Sequence, residues 1–177
     1  MSDIPDSLRA IQDEVAGATF YRHQSSPAGI GQGAFFFLYI GRKACEVWLR
    51  IRVQFPGTKP SGSVRIKIKA DDKAYEFDAR RLAQTEEGGA TGYWYDELVE
   101  ADHLLMLFKV AASTRATVRL EGAGRADEHL VSDGEKQALT VVLGAYHSLG
   151  GKLSQPGASY QSGSTAGAAR SSCAWMG

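Results

Sequence analysis

The chain has 177 residues, and its 20 Lys plus Arg are balanced by 20 Asp plus Glu. That length suits one domain of ordinary size, and 44% apolar with 23% charged residues excludes a disordered, collagen-like or coiled-coil chain for its bulk. The longest wholly apolar run, Ala34 to Ile40, is far shorter than the roughly 18 residues of a membrane-crossing helix, and the charge balance leaves no global field to draw nucleic acid or anionic lipid.

Pro5 followed by Leu8, Ile11, Val15 and Gly17 has helical spacing, which predicts a short amphipathic helix at the N-terminus. Asp3, Asp6, Asp13 and Glu14 outnumber Arg9 there, the reverse of a secretory signal. The expected compartment is cytoplasmic, or periplasmic or secreted if a signal had been removed. From Thr19 the texture becomes strand-like: Thr19 to His23, Ala34 to Ile40, Glu46 to Phe55 and Ser63 to Ala70 are each bounded by Gly, Pro or Ser. In Glu46 to Phe55, Val47, Leu49, Ile51, Val53 and Phe55 alternate with Trp48, Arg50, Arg52 and Gln54. In the next run Val64, Ile66 and Ile68 alternate with Arg65, Lys67 and Lys69. A period of two puts one set inward and the other outward. The turn-forming residues Pro56 to Gly62 predict that these two strands pair as an antiparallel hairpin.

Lys73 to Asp78 reads as a short strand, Thr85 to Thr91 as a loop and Gly92 to Val99 as an aromatic strand. Asp102 is a candidate N-cap for a helix over His103 to Ala112, and Ala116 to Glu121 alternates as another strand. Ser132 and Glu135 have capping-box spacing. They open a helix over Asp133 to Leu149 whose apolar stripe includes Leu139, Val142, Leu143 and Tyr146, stopped by Gly150-Gly151. Residues 1–150 are therefore expected to form one α+β domain: a mainly antiparallel β-sandwich or half-open barrel with an N-terminal helix, one inserted helix and a closing amphipathic helix. Residues 151–177, rich in Gly, Ser and Ala with Trp175 and Met176 near the end, are expected to be a flexible tail.

Apparent motifs dissolve on inspection. Gly29, Gly31 and Ala34 match G-x-G-x-x-A in form but lead into the strand Phe35 to Tyr39 instead of opening a helix. His23, His103, His129 and His147 have no metal-site spacing, so neither a metal nor a cofactor is expected. Cys45 and Cys173 make a poor disulfide framework, and Cys45 is expected to pack in its strand. Glu86-Glu87 and Asp96-Glu97 could act as acid and base only if brought together in a cleft.

One pattern rises above this background. Arg42 to Lys69 holds eight basic residues against Glu46, whereas Asp71 to Asp102 holds ten acids against Lys73, Arg80 and Arg81. If the expected hairpin forms, Arg50, Arg52, Arg65, Lys67 and Lys69 emerge on one surface beside Trp48. The expectation is a non-catalytic binding or adaptor module that docks an acidic protein partner on these six residues; nucleic acid is not expected. Three alternatives remain. The acids of 71–102 could neutralise the basic face internally. The chain could be a small enzyme or ligand-binding domain for an anionic small molecule, with His23 as a candidate base. It could also be a structural subunit that exposes Phe35 to Tyr39 as an edge.

Overall fold

The computed structural model describes residues 4–152. It is mostly antiparallel β, with ten strands and two helices among the described residues. The strands are β1 (Leu8–Asp13), β2 (Ala18–His23), β3 (Phe35–Lys43), β4 (Glu46–Pro56), β5 (Val64–Ala70), β6 (Lys73–Asp78), β7 (Leu82–Glu87), β8 (Ala90–Leu98), β9 (Ala116–Gly122) and β10 (Arg125–Val131). Helix α1 (Ala101–Ala112) lies between β8 and β9, and α2 (Asp133–Ser148) closes the described chain. One sheet runs β1-β2-β3-β4-β8-β7 and the other β10-β9-β5-β6.

The inward residues of both sheets form one hydrophobic cluster. Phe36, Leu38, Ile40, Leu49, Ile51 and Val53 come from the six-stranded sheet, and Val64, Ile66, Ile68, Val118 and Leu120 from the four-stranded one. Each such side chain contributes about 1.5–3 kcal/mol of transfer free energy when fully buried. Tyr93 spans the two layers, its hydroxyl donating to Asp127 of β10 while Arg125 binds the same carboxylate at 2.8 Å. Burial, then the Asp127 hydrogen bond, raises the Tyr93 pKa above its ordinary 10.0.

Helix α2 is fixed by a buried carboxylate. Ser132 and Glu135 form the expected capping box, and Glu135 also accepts from the Phe36 N–H at 2.9 Å and meets His129 Nε2 at 2.7 Å. The pairing of β2 with β3 ends at Arg22 and Tyr39, so β2 supplies no partner to Phe36 and the glutamate accepts in place of a strand. Burial disfavours the Glu135 charge, but hydrogen bonds from His129, Phe36 and Ser132 outweigh it and leave its pKa lowered. At the other end of the same turn, Lys136 Nζ donates to the carbonyls of Ser113 and Thr114 just beyond α1, tying the two helices together.

Several expectations need correction. Residues 8–13 are strand, not helix: β1 pairs with β2 from Leu8–His23 to Asp13–Ala18, Val15 is fully exposed in the connecting turn, and Gly17 (φ +61°) serves that turn. The expected loop 85–91 is a hairpin whose two-residue turn, Gly88-Gly89, has positive φ at both positions, as a turn matching strand twist requires. Helix α1 begins at Ala101 with Glu100 as its N-cap, in place of Asp102. β10 was not anticipated. Cys45 does not pack in a strand: it is exposed in the β3–β4 turn, and against the expectation of a poor disulfide framework its sulfur is disulfide-bonded. The expected tail, with Cys173 and Trp175, lies outside the described residues from 153 onward.

The largest correction concerns β4 and β5, which do not pair. Both edges of β4 are occupied, by β3 and β8, and both edges of β5 by β9 and β6, so residues 57–63 carry the chain from one sheet to the other. A hairpin with aligned apolar faces would have set Arg50 and Arg52 against Arg65 and Lys67, and like charges directly opposite destabilise a sheet.

Candidate functional site

The separation of β4 from β5 divides the six anticipated site residues between two surfaces. Arg65, Lys67 and Lys69 lie on the outer face of the four-stranded sheet. There Asp78, Arg65, Glu76, Lys67, Glu121, Arg119 and Glu128 alternate in sign across all four strands, with Arg65–Glu76 at 2.9 Å, Lys67–Glu121 at 2.6 Å and Arg119–Glu128 at 2.8 Å. These pairs are largely exposed, each worth about 0–1 kcal/mol. They occupy the cations that would have met a partner. Lys69 faces Ala74 and Thr117 and makes no ion pair among the described residues.

Trp48, Arg50 and Arg52 lie instead on the outer face of the six-stranded sheet, among residues whose role local sequence did not reveal. Strand register sets them in rows. Ile11, Phe20, Gly41 and Trp48 form one, Arg9, Arg22, Tyr39, Arg50 and Leu98 the next, and Phe37, Arg52 and Asp96 a third. Phe35, Gln54, Trp94 and Ala83 form the fourth. The result interleaves arginines with aromatic rings. Arg22 Cζ stands 5.9 Å from the Phe37 centroid and 5.2 Å from that of Tyr39, and Arg52 Cζ stands 6.0 Å from Phe37 and 4.4 Å from Trp94. Stacking of this kind is worth about 0.5–2 kcal/mol per contact. It explains why Phe37 and Tyr39 are 3% and 6% exposed although they point away from the core.

Glycine shapes both ends of the face. Trp48 lies over Gly41, where a Cβ would come within 2.1 Å of the indole, and meets Phe20 edge-on at 6.3 Å. At the far end the β2–β3 connection crosses the sheet: Gln54 Nε2 donates to the carbonyls of Gly29 and Gly33, Arg9 Nη2 to that of Ser26, and Ile30 seats on Gly92. The formal G-x-G-x-x-A match falls in this strap.

Asp96 is the one carboxylate in the rows of arginines. It binds Arg50 Nε at 2.7 Å, accepts from the Tyr39 hydroxyl at 2.7 Å and stands 3.8 Å from Arg52. Burial, then Asp96, raises the Tyr39 pKa above its ordinary value. Burial opposes the Arg50 charge, but Asp96 and Tyr39 leave its pKa raised. For Arg52 burial prevails: the pKa is lowered despite Asp96, with Arg22 adding to the depression. The Arg22 side chain makes no hydrogen bond or ion pair among the described residues, and the Nε atoms of Arg9, Arg22 and Arg52 are buried without an acceptor. Within these rows Arg9, Arg22, Arg50 and Arg52 therefore stand against one carboxylate, which is paired closely with Arg50 and at 3.8 Å with Arg52. Ile11 and Leu98 add exposed apolar surface in the same rows.

The other candidates do not assemble a reaction centre. His23 Nδ1 meets Ser25 Oγ at 2.7 Å, and burial lowers its pKa. Asp96 and Glu97 point to opposite faces of β8, since their partners are Arg52 and Ile51. Phe35 to Tyr39 pairs with β4 throughout but with β2 only at Tyr39, and Phe36 to Tyr39 are buried, so the segment is not an exposed edge. Among the described residues no cluster of ligating side chains could hold a metal, and no helix is long and apolar enough to cross a membrane. In comparisons with known proteins, the chain matches no family model, no curated protein and no solved structure.

Proposed function

We propose that the chain is a non-catalytic binding module that docks a carboxylate-bearing protein segment on the outer face of its six-stranded sheet. The carrying observation is the anion deficit of that face: Arg22 without any ion pair, and Arg52 with only the shared Asp96 at 3.8 Å. Both guanidinium planes are held against rings, so little side-chain entropy remains to be lost when a carboxylate binds. Exposed Leu98 and Ile11 in the same rows supply apolar contact for the rest of such a segment. Compared with the anticipated surface, Trp48, Arg50 and Arg52 stay in the binding region, Arg9 and Arg22 join it, and Arg65, Lys67 and Lys69 leave it.

Titrating the full chain with an oligo-glutamate peptide, followed by calorimetry at about 0.05 M and 0.5 M salt, tests this reading. Saturable binding that weakens at high salt and is lost in Arg22→Glu is expected. Binding unchanged in Arg22→Glu, with folding intact, would overturn it.

A further inference from the structure

A second binding feature lies where the chain crosses twice between the sheets, from β4 to β5 and from β6 to β7. A cleft of about 640 Å³ opens there, lined by Lys59, Ser61, Arg80, Arg81, Leu82 and Trp94 among others. Its walls are pinned. The Lys59 N–H donates to Gln84 Oε1 at 2.9 Å, the Ala79 N–H to the Val64 carbonyl at 2.8 Å and Arg125 Nη1 to the Thr58 carbonyl at 2.9 Å.

The cations of this cleft carry no ion pair among the described residues. Lys59 Nζ meets only the Leu82 carbonyl, at 3.4 Å, and the Arg81 side chain makes no ion pair or hydrogen bond among the described residues. The backbone N–H groups of Ser61 and Gly62, which also line the cleft, likewise donate to no acceptor among the described residues. The one lining carboxylate, Asp96, is turned to Arg50 and Tyr39. Arg80 also borders a smaller cleft with Glu97 and Glu100, so Lys59 and Arg81 are the two cations committed to this one.

We infer that this cleft binds a small organic phosphomonoester. Its tetrahedral dianion presents acceptors in several directions, which suits donors supplied by two separate chain segments, Lys59, Ser61 and Gly62 between β4 and β5 and Arg81 between β6 and β7, whereas a planar carboxylate suits a single fork. Trp94, Leu82 and Val64 provide the apolar surface for the organic body. The cleft shares Trp94 and Asp96 with the edge of the arginine face, but its cations, Lys59 and Arg81, are not among the residues of that face, so its ligand does not depend on the acidic partner.

The test is titration of the full chain with phenyl phosphate, and separately with benzoate, followed by calorimetry and by tryptophan fluorescence, since Trp94 lines the cleft. Saturable phenyl phosphate binding at least tenfold tighter than benzoate, weakened tenfold or more by Lys59→Ala or Arg81→Ala, is expected. Both side chains are exposed and free of ion pairs, so the variants should keep the wild-type thermal midpoint. Arg22→Glu should leave phenyl phosphate binding unchanged while losing the acidic peptide, which separates the two readings. Absence of saturation, equal affinity for benzoate, or indifference to both alanine variants overturns the inference.

Discussion

Replacing Glu135 removes the acceptor of a fully buried backbone donor. In Glu135→Ala the Phe36 N–H, on a residue with no exposure, loses its partner, as do the part-buried His129 ring and the capping interaction of Ser132. A buried donor left unsatisfied costs about 1–3 kcal/mol, and a lost N-cap interaction adds about 1 kcal/mol. The expected total is about 2–4 kcal/mol, a large part of the roughly 5–15 kcal/mol available to a folded domain. With a urea slope of about 1–3 kcal/mol per molar, the midpoint of a circular-dichroism denaturation curve should fall by roughly 0.7–4 M. Glu135→Gln keeps one acceptor oxygen and should lose about half as much. The folded pKa of Glu135 lies below its ordinary 4.5, so its ionised form stabilises the fold fully above pH 4.5, and that contribution fades as pH falls through the folded value. The gap between wild type and Glu135→Gln should therefore close on acidification. Coincident midpoints at neutral pH, or a gap that ignores pH, would refute the assignment of Glu135 as the link between α2 and β3.

Three further outcomes follow from named contacts. Gly41→Ala places a Cβ about where the Trp48 ring now lies, so it should lift the indole, shift tryptophan emission to the red and cost about 1–3 kcal/mol in thermal or urea unfolding. Gly92→Ala should displace Ile30, and proteolysis should then cut the 24–33 strap faster than in the wild type. Asp96→Asn leaves Arg50 and Arg52 without their shared carboxylate, at a cost of about 1–3 kcal/mol. Because Asp96 helps to raise the Tyr39 pKa, an ultraviolet titration of Asp96→Asn should also show that tyrosine ionising at lower pH than in the wild type.

What could be read from sequence was whatever depended on local period and local caps. The alternation in Glu46 to Phe55 and Ser63 to Ala70 located β4 and β5 almost to the residue, and the Ser132–Glu135 box located the start of α2. The N-terminal error arose because Leu8, Ile11 and Val15 have helical spacing by coincidence: Leu8 faces the core, Ile11 the outer face, and Val15 the turn. β10 escaped because its inward positions include Asp127 and His129, polar residues that break the apolar alternation and whose partners, Tyr93 and Glu135, lie on other elements. The binding face depended on which strand lies beside which. Strand pairing is non-local, so charge segregation pointed to Arg50 and Arg52 but joined them to β5, across the molecule, in place of Arg22, Phe37 and Asp96. The run Phe35 to Ile40 held a usable signal. A strand apolar on both sides is covered on both sides, and here the outer cover is arginine.

The most direct test compares two charge reversals in the same peptide titration: Arg22→Glu with Arg52→Glu on the six-stranded sheet, and Arg65→Glu with Lys67→Glu on the four-stranded one. Loss of oligo-glutamate binding in the first double variant and its retention in the second is the predicted result. Retention in the first, or loss confined to the second, would contradict the placement of the docking surface.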